Sequence, residues 1–415
     1  MSAFCPDTWP FPIALLPAEA HLVGGSVRDQ LLHRQSSYLD LDFVLPQRAI
    51  ETAAAIAKAC DAGFVVLDAQ RQIARVVFEQ ITVDFAQQQG ESLEADLRRR
   101  DFTINAIAYH PITQSIVDPL GGKQDISRKT IRMVSADNLA ADPLRLMRAY
   151  RQAAQLNFTV EPDTQQAIHQ LSPQIKQIAV ERIRSELDAL LSVANSDEQF
   201  QQILCHELLS DWLPHFDAQS IERMRSIDTA VKQLGTTLPE QGKSLLYNWP
   251  KAVPPGSYRS WVKAAKLSCL VSPERAIAQK QLATLSYSRF ETQIVLVLLK
   301  AQPAINRMCS EELSRSEQFF LFKLAGEAFL AVSLLALAQG VPLSRLEPMI
   351  ARFWDREDAI AHAQPLITGH EVMQQLNMSP GPELGQLLSA IEQAQANGLL
   401  TTKEDTISWL IQSGE

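Results

Sequence analysis

Residues 21–45, HLVGGSVRDQLLHRQSSYLDLDFVL, are the stretch around which the chain is organised. The pattern predicts a short apolar strand ending at Gly24 and Gly25, a helix capped by Ser26 and reaching Arg34, and then a second strand. Glycines let backbone N–H groups approach an anion closely, and the N-terminus of a helix favours negative charge. The turn therefore predicts a phosphate-binding cradle.

Two aspartates lie on the second predicted strand, alternating with apolar residues. Asp40 and Asp42 are two positions apart, so their side chains point to the same face. Adjacent carboxylates repel each other unless a cation lies between them, and hard divalent ions favour such oxygen pairs. The cradle, the aspartate pair and Arg28 on the intervening helix together predict nucleotidyl transfer by two metal ions. Taken alone, two glycines after a strand usually form only a tight turn, and two aspartates at this spacing often form a solvated strand end or a turn.

The composition of the 415-residue chain is that of an ordinary globular protein, with 46% hydrophobic and 20% charged residues. The net charge of −9 argues against a general nucleic-acid coat but permits a local basic groove. Five dispersed cysteines, none in a C-x-x-C pair, favour neither a zinc site nor a disulfide framework, and they fit the reducing cytoplasm. We expect no signal peptide, and the apolar run 319–338 predicts a buried helix rather than a membrane span.

Strands and helices alternate in the first third of the chain, which predicts a small mixed α/β domain. Residues 49–62 are expected to form a helix, and 64–67, 73–78 and 81–85 are expected to form strands. Asp84 lies in the last of these strands and is a candidate third metal ligand. An aspartate at the end of a hairpin is the competing interpretation.

A cluster of charged residues follows these strands. Three consecutive arginines, 98–100, are expected on a helix, and Asp101 and Asn105 come directly after them. Guanidinium groups bind phosphate in bidentate fashion, so the cluster predicts contacts with a triphosphate and its ribose. A solvated helix end is the alternative.

From Asp142 onward the chain is predicted to be almost entirely helical. Asp142 is expected as the N-cap and Pro143 as the first residue of a helix that carries Arg145 and Arg148 at helical spacing. Val180–Leu191 predicts a second amphipathic helix. Further helices are predicted within 199–234, 275–299, 311–338 and 346–362. The proline-rich stretch 236–257 is expected to be either a loop between helices or an insertion in the body.

These motifs resemble those of the class II tRNA nucleotidyltransferases and bacterial poly(A) polymerases, the CCA-adding type, over most of the chain. The matching segments are 24–29 with 40–42, 99–106, 118–122, 141–145, 181–184 and the C-terminal end from 369 to 398. The resemblance implies an α+β fold in which a small mixed α/β, polymerase β-like nucleotidyltransferase head precedes an all-helical neck, body and tail. The expected domains are the head at 1–138, the neck at 139–200, the body at 201–360 and a tRNA-binding tail at 361–415.

The resemblance also implies roles for individual residues. Asp40 and Asp42 are expected to be catalytic and to hold two Mg²⁺ ions, with Asp84 as a further metal ligand. The phosphates are expected to be bound by Gly24, Gly25, Ser26 and Arg28. The incoming nucleotide is expected to be bound by Arg99, Arg100, Asp101, Asn105, Asp142, Arg145 and Arg148. The neck motif is expected to include Glu181 and Arg182.

Base selection is expected from Asp142 and Arg145, which share one face of a helix. A carboxylate that accepts an amino proton and an arginine that donates to the ring suit both cytosine and adenine. Guanine and uracil present a carbonyl instead, which leaves the aspartate unpaired at a cost of about 1–3 kcal/mol. The alternative is that Asp142 is simply an N-cap and Arg145 a surface residue.

Ala141 stands where the family usually has glutamate, and if that glutamate orients the arginine, its loss is expected to change which nucleotides are accepted.

The connection between the strand near Phe85 and the arginine motif is short, spanning only 86–96. Full CCA-adding and A-adding relatives carry a longer flexible segment there, which the CC-adding members lack. We therefore predict an enzyme that adds two cytidines from CTP to the tRNA 3′ end. A full CCA-adding enzyme that also uses ATP is the nearest alternative. More distant ones are a poly(A) polymerase, a non-catalytic RNA-binding relative and a small-molecule nucleotidyltransferase.

The expected macromolecular partner is tRNA, bound at its 3′ end and its acceptor and elbow region through shape and phosphate contacts. Neither a membrane nor a stable protein partner is expected, and the expected location is the cytoplasm. Candidate tRNA-contacting positions are Arg182, Arg184, Lys251, Lys263, Lys266 and Lys280.

Overall fold

The computed structural model describes residues 3–34, 39–79, 81–238 and 258–413. The chain divides into two compact units, one comprising Met1–Leu190 with Cys205–Leu208 and the other Leu191–Leu204 with Leu209–Glu415. Most of the predicted loop at 236–257 and the candidate Lys251 lie outside the described residues.

A seven-stranded mixed sheet is the framework of the first unit. Its strands are β1 (His21–Val23), β2 (Leu39–Leu45), β3 (Gly63–Asp68), β4 (Ile73–Val77), β5 (Ile81–Gln87), β6 (Ala108–His110) and β7 (Ser115–Val117). Their order across the sheet is β3-β4-β5-β2-β1-β6-β7. β2 and β5 run parallel, and the other neighbours in this sheet run antiparallel. The mixed α/β head predicted from the sequence is confirmed.

Alternation along β2 and β5 separates the core from the polar face. Leu41 and Phe43 on β2, with Val83 and Phe85 on β5, are almost completely buried beneath helix α2 (Ala49–Ala59). The rings of Phe43 and Phe85 stack with their centroids 5.4 Å apart. Because successive strand residues alternate between faces, the aspartates of both strands point away from this core.

The other helices of the first unit span between 5 and 13 residues. A two-stranded parallel sheet, β8 (Thr130–Ile131) with β9 (Thr159–Val160), lies between them in sequence. Its second strand departs from the all-helical neck expected from the sequence. The helices are α1 (Gly25–Leu31), α3 (Leu93–Leu97), α4 (Gly122–Ser127), α5 (Ala136–Ala141), α6 (Leu144–Leu156), α7 (Pro162–Leu171) and α8 (Val180–Leu191).

The described part of the second unit is helical, as expected. Its helices are α9 (Asp197–Cys205), α10 (Ala218–Thr237), α11 (Trp261–Ser268), α12 (Arg275–Thr284), α13 (Arg289–Ser310), α14 (Arg315–Ala325), α15 (Phe329–Ala338), α16 (Leu343–Trp354), α17 (Gly369–Leu376), α18 (Pro382–Asn397) and α19 (Lys403–Ser413). Arg315–Ala338 is long and apolar enough to cross a membrane, but 72% of its most apolar window is buried inside the protein. The burial of α15 confirms the core helix predicted for this run.

Two of the lysines predicted to contact tRNA are instead buried, and that prediction is wrong for them. The Lys263 ammonium lies 2.8 Å from Glu291 Oε1, and Lys266 lies 2.7 Å from Asp228 Oδ1. Each lysine is only 1% exposed. A buried ammonium requires a paired carboxylate, so these lysines stabilise the helical packing and are inaccessible to RNA.

Candidate functional site

The glycine turn forms where the sequence predicts it, but the helix cap differs. Gly24 itself is the N-cap of α1, while the Ser26 hydroxyl donates to the Val23 carbonyl at 3.2 Å. Ser26 therefore does not cap the helix, which also ends at Leu31 rather than at Arg34. The reason is that Gly24, with φ of +76°, makes the sharp turn two positions earlier than a cap at Ser26 would require.

Gly24 brings the turn against two charged side chains. A Cβ at this position would lie 3.4 Å from Arg100 Nη1 and 3.5 Å from Asp42 Oδ2, in addition to being strained by the positive φ. The backbone of the turn therefore lies next to both the candidate metal ligand and a candidate nucleotide-binding arginine.

Pairing between β2 and β5 arranges the carboxylates. Asp40 lies opposite Thr82, whose hydroxyl donates to it, and Asp42 lies opposite Asp84. Arg75 on β4 binds both oxygens of Asp84, at 2.7 and 2.8 Å. Asp84 is thus adjacent to the predicted pair but engaged by an arginine, and its role as a metal ligand stays a prediction.

Asp42 carries negative charge that its surroundings only partly balance. Burial, followed by the charges of Asp84 and Asp40, raises the pKa of Asp42 to about 6, while Arg100 and Arg75 act in the opposite direction. Within the described ranges, no three His, Cys, Asp or Glu side chains are grouped to hold a metal on their own. Magnesium commonly binds only one or two carboxylates and completes its shell with water and substrate phosphates. The Asp40–Asp42 pair fits that requirement.

The three consecutive arginines follow a helix instead of lying on it, because α3 ends at Leu97. Arg100 Nη2 lies 3.1 Å from Asp96 Oδ2, and the other oxygen of Asp96 accepts the backbone N–H of Gln89 at 2.9 Å. The Nε of Arg100 is buried and has no hydrogen-bond partner in the part of the chain that the structure describes. A buried donor of this kind is available to an anionic ligand.

Asp101 is buried and fully engaged. One oxygen accepts from the Phe102 amide at 2.8 Å and from Asn105 Nδ2 at 2.9 Å, and the other accepts from Arg148 at 2.9 and 3.1 Å. Burial alone would raise the pKa of Asp101, but the charge of Arg148 and these hydrogen bonds hold it below its usual value. Asp101 thus fixes Arg148 and Asn105, and its direct contact with a nucleotide stays a prediction.

A small pocket lies beside the glycine turn. Arg28 Nη1 donates to Asn105 Oδ1 at 2.7 Å and to Gln152 Oε1 at 3.3 Å, while the guanidinium also pairs with Asp29 at 2.9 Å. The pocket has a volume of about 300 Å³ and its lining includes four arginines, which makes it suitable for a triphosphate. These are Arg28, Arg100, Arg148 and Arg151.

Sequence reasoning missed Arg151, Gln152 and Glu186. Glu186 on α8 binds Arg151 and lies 3.7 Å from Arg148, so it holds two arginines at the pocket. The signal for the first two was present, because positions 145, 148, 151 and 152 recur at helical spacing along α6. Glu186 had no such signal, since its partners lie on a different helix.

The predicted base-selecting residues lie at the start of α6. Asp142 directly precedes Pro143, which is the N-cap, so the predicted cap is displaced by one residue. Asp142 Oδ2 lies 2.9 Å from Arg182 Nη2, which links it to the predicted neck motif on α8. Glu181, the other predicted residue of that motif, is exposed on the first turn of the same helix.

Three adjoining pockets form one trough on the first unit. The 300 Å³ pocket shares Arg100, Asp101 and Arg148 with a pocket of about 260 Å³. The second shares Arg145 and other residues with a larger cleft of about 740 Å³, lined also by Ala141, Arg99 and Gln89. The trough thus runs from Asp42 and the arginine pocket to the predicted base-selecting residues, Asp142 and Arg145.

The connection between β5 and α3 is as short as the sequence indicates, and its backbone is anchored. Gln88 N donates to the Leu45 carbonyl at 2.7 Å, and Gln89 N donates to Asp96. Ser92 then caps α3 by accepting the Ala95 amide at 3.2 Å. Three of the five residues 88–92 are thus held by hydrogen bonds, which leaves only residues 90 and 91 between the anchored positions.

The turn at 118–122 supports the arginine motif from behind. Asp118 accepts the backbone N–H groups of Gly122 and Lys123 at 2.7 and 2.9 Å, which caps α4. A Cβ at Gly122 would lie 2.2 Å from the Thr103 carbonyl oxygen, so only glycine permits this approach. The turn thereby packs α4 against the segment that carries Asn105.

The Asp40–Asp42 pair suits magnesium, and the arginine-lined trough connects this end of the site to Asp142 and Arg145, which are able to recognise a base. This combination defines the class of nucleotidyltransferases. Three family models match the chain in order. They are the poly A polymerase head domain over residues 20–132, the probable RNA and SrmB-binding site of polymerase A over 157–220, and the putative tRNA nucleotidyltransferase domain 2 over 259–410.

Full-length relatives narrow the class. The CC-adding tRNA nucleotidyltransferase of Synechocystis is 40% identical over 98% of this chain and 96% of that protein. The A-adding tRNA nucleotidyltransferase of Deinococcus radiodurans is 32% identical over 95% of each. The CCA-adding enzyme of Bacillus stearothermophilus in complex with CTP has a TM-score of 0.71 at 25% identity, covering 95% of this chain and 93% of that one. The chain belongs to the tRNA nucleotidyltransferase family, as the resemblance implied.

Proposed function

We propose that this chain adds the two cytidines of the tRNA 3′ end, transferring CMP from CTP and releasing pyrophosphate without a nucleic-acid template. The observation that carries the subtype is the short connection at 88–92, with its backbone anchored through Gln88 and Gln89. Relatives that add adenosine have a longer flexible segment here, by the resemblance drawn from the sequence. The 40% identity to a CC-adding relative supports the same subtype.

Asp40 and Asp42 would hold Mg²⁺ in this proposal. When bound, the metal would activate the primer 3′-hydroxyl and stabilise the leaving pyrophosphate. The protein contributes by holding the triphosphate in place. The turn at Gly24 and Gly25 and the four-arginine pocket bind the β- and γ-phosphates, and the buried Nε of Arg100 gains an acceptor when they do.

The base would be selected at the other end of the trough, by Asp142 and Arg145. Arg182 binds Oδ2 of Asp142 and so fixes the orientation of the carboxylate. Oδ1 accepts the Leu144 N–H at 3.4 Å, and its second lone pair can accept the exocyclic amino group of cytosine. Arg145 donates to the acceptors on the ring. Uracil has a carbonyl in place of the amino group and cannot donate a hydrogen bond to the aspartate. The binding of uracil is therefore weaker than that of cytosine by about 1–3 kcal/mol.

The proposed acceptor is tRNA in the cytoplasm, a location that also fits the five free cysteines. Binding through shape and phosphates predicts that the affinity for tRNA falls steeply as salt is raised, despite the net charge of −9.

Primer extension tests the proposal. A tRNA transcript ending at the discriminator base is incubated with magnesium and CTP, ATP or both, and the products are separated at single-nucleotide resolution. We expect two added nucleotides with CTP, no further addition when ATP is present, and no addition of AMP to a tRNA already ending in CC.

Each other outcome identifies an alternative. A third nucleotide from ATP would mean a full CCA-adding enzyme, and long adenosine tails on unstructured RNA would mean a poly(A) polymerase. Failure of the wild-type chain to incorporate either nucleotide, on a tRNA that a CCA-adding relative extends, would favour a non-catalytic RNA-binding role.

A further inference from the structure

The anchoring of Arg145 differs from an ion pair. Its Nη1 donates to two backbone carbonyls, Asn138 O at 2.8 Å and Arg99 O at 3.2 Å. Ala141, which stands where the family usually has glutamate, is exposed at the end of α5 and lines the same cleft. The guanidinium is therefore oriented by neutral dipoles, and its positive charge remains available to the acceptors of a base.

The side chain of Asn138 completes the arrangement. Its Nδ2 donates to the carbonyls of Arg98 and Arg100, each at 2.8 Å. Three consecutive carbonyls, 98 to 100, are thus bound by the Asn138 amide, Arg145 and the Asn138 amide again. The backbone of Asn138 is itself fixed, since its N–H donates to the Ser135 hydroxyl that caps α5.

These contacts close a ring through one residue. The side chain of Asn138 binds the backbone of residues 98–100, and the carbonyl of Asn138 accepts a hydrogen bond from Arg145. Displacement of residues 98–100 is therefore transmitted to Arg145, and displacement of Arg145 to residues 98–100. We infer that Asn138 is a positioning residue for base selection, which sets the orientation of Arg145 toward the base of the incoming nucleotide. This inference rests on the proposed function, because it takes Arg145 to be the residue that contacts the base.

A double-mutant cycle tests this inference. Asn138→Ala, Arg145→Ala and the double variant are compared with the wild type for kcat and KM with CTP and with UTP in the first addition to tRNA. Loss of two hydrogen bonds should raise the KM for CTP about tenfold and lower the preference for CTP over UTP by a similar factor. In the Arg145→Ala background, Asn138→Ala should change the preference for CTP over UTP by less than about twofold, because Asn138 affects base selection through Arg145. The KM is not used for this comparison, since Asn138 also holds the carbonyl of Arg100 and its loss would weaken the binding of both nucleotides alike.

Two further variants separate positioning from folding. Asn138→Asp keeps the size of the side chain but replaces its donors with an acceptor facing two carbonyls, so it should reproduce the defect of Asn138→Ala. Asp137→Asn, at the neighbouring exposed position of α5, should behave as the wild type. Thermal unfolding of each variant is recorded alongside the kinetics.

The inference would be overturned if Asn138→Ala and Arg145→Ala had additive effects on the preference for CTP over UTP. An unchanged preference in Asn138→Ala would overturn it as well. Equilibrium binding of CTP and UTP without tRNA repeats the same cycle independently of turnover. A wild-type protein that binds CTP selectively but does not extend tRNA would contradict the proposed function, whereas normal extension with an additive cycle would contradict only the role of Asn138.

Discussion

At the acidic end of the trough, Asp42 faces two other aspartates, whereas Asp101, in the middle of the trough, faces an arginine and two amides. The first environment raises the pKa of Asp42 to about 6, and the second holds the pKa of Asp101 below its usual value. Asp101 is buried and Asp42 is half-buried. The difference lies in what surrounds them, because Arg75 is committed to Asp84 while Arg148 is committed to Asp101.

The contrast separates a binding group from a supporting one. A carboxylate whose oxygens are all bound within the protein has no capacity left for a cation, and it stabilises the fold. A carboxylate whose surroundings disfavour its charged form is stabilised by a divalent ion, so relief of the repulsion contributes to the free energy of metal binding. The following predictions test whether this division of roles is correct.

The largest effect is expected from removing either member of the pair at the acidic end. Asp40→Ala and Asp42→Ala should each lower the rate of CMP incorporation by about a thousandfold or more, because metal stabilisation of the transition state amounts to several kcal/mol. Single-turnover incorporation of labelled CMP into tRNA measures this. Asp137→Ala is the control and should retain wild-type activity. Retention of more than about a tenth of the wild-type rate by either variant would show that the metal assignment is wrong.

The next largest effect is on stability, and it should have opposite signs at the two carboxylates. Asp101→Asn removes the closer carboxylate of Arg148 and leaves only Glu186, 3.7 Å away, in a partly buried site, so we expect a loss of about 3 kcal/mol in the free energy of unfolding. Asp42→Asn removes a repulsive charge, so it should be neutral or stabilising in metal-free protein at pH 8. Urea unfolding in EDTA measures both variants. Equal destabilisation by the two substitutions would remove the distinction between the sites.

The same contrast should appear as a pH dependence in metal-free protein. Asp42 has a raised pKa, so the folded state binds its proton more tightly and the stability it contributes at low pH is lost as pH rises from about 4 to about 6. The displacement from 3.8 to about 6 corresponds to at most about 3 kcal/mol. Asp101, with a lowered pKa, contributes stability above pH 3.8 that is lost as pH falls.

Asp42→Asn isolates the first of these dependences. The difference in unfolding free energy between the wild type and this variant should grow in favour of the variant as pH rises through 6. A difference that stays constant between pH 4 and pH 8 would show that the surroundings of Asp42 do not disfavour its charge.

Local sequence patterns predicted the elements of the site well. The glycine turn, the alternation on β2 and the bounds of α8 all depend on residues close together in sequence, so periodicity and turn chemistry suffice. The partners of these elements could not be predicted in this way. The adjacency of Asp42 and Asp84 depends on which strands pair, because the parallel pairing of β2 with β5 brings together residues 42 positions apart. Only that pairing places the ion pair of Asp84 with Arg75 beside Asp42.

Charge patterns were the least informative part of the sequence. Lys263 and Lys266 read as surface residues because lysine is usually solvated, but their carboxylate partners lie 28 and 38 positions away in sequence. Asn138 gave no signal at all, since its role depends on three carbonyls of a segment that the sequence predicted to be helical. Such roles come from tertiary packing, which residue type alone does not encode.

The smallest effect is expected at the far end of the trough, where a third carboxylate, Asp142, pairs with Arg182. These side chains are 31% and 51% exposed, so the pair is screened by solvent and Arg182→Ala should change the free energy of unfolding by less than about 1 kcal/mol. Its effect on substrate should be larger, with a several-fold rise in the KM for CTP, because the carboxylate loses its fixed orientation toward the base. Urea unfolding and CTP kinetics at low and high salt measure the two quantities. A stability loss as large as that of Asp101→Asn would mean that Asp142 supports the fold as Asp101 does, and base selection would then need another acceptor.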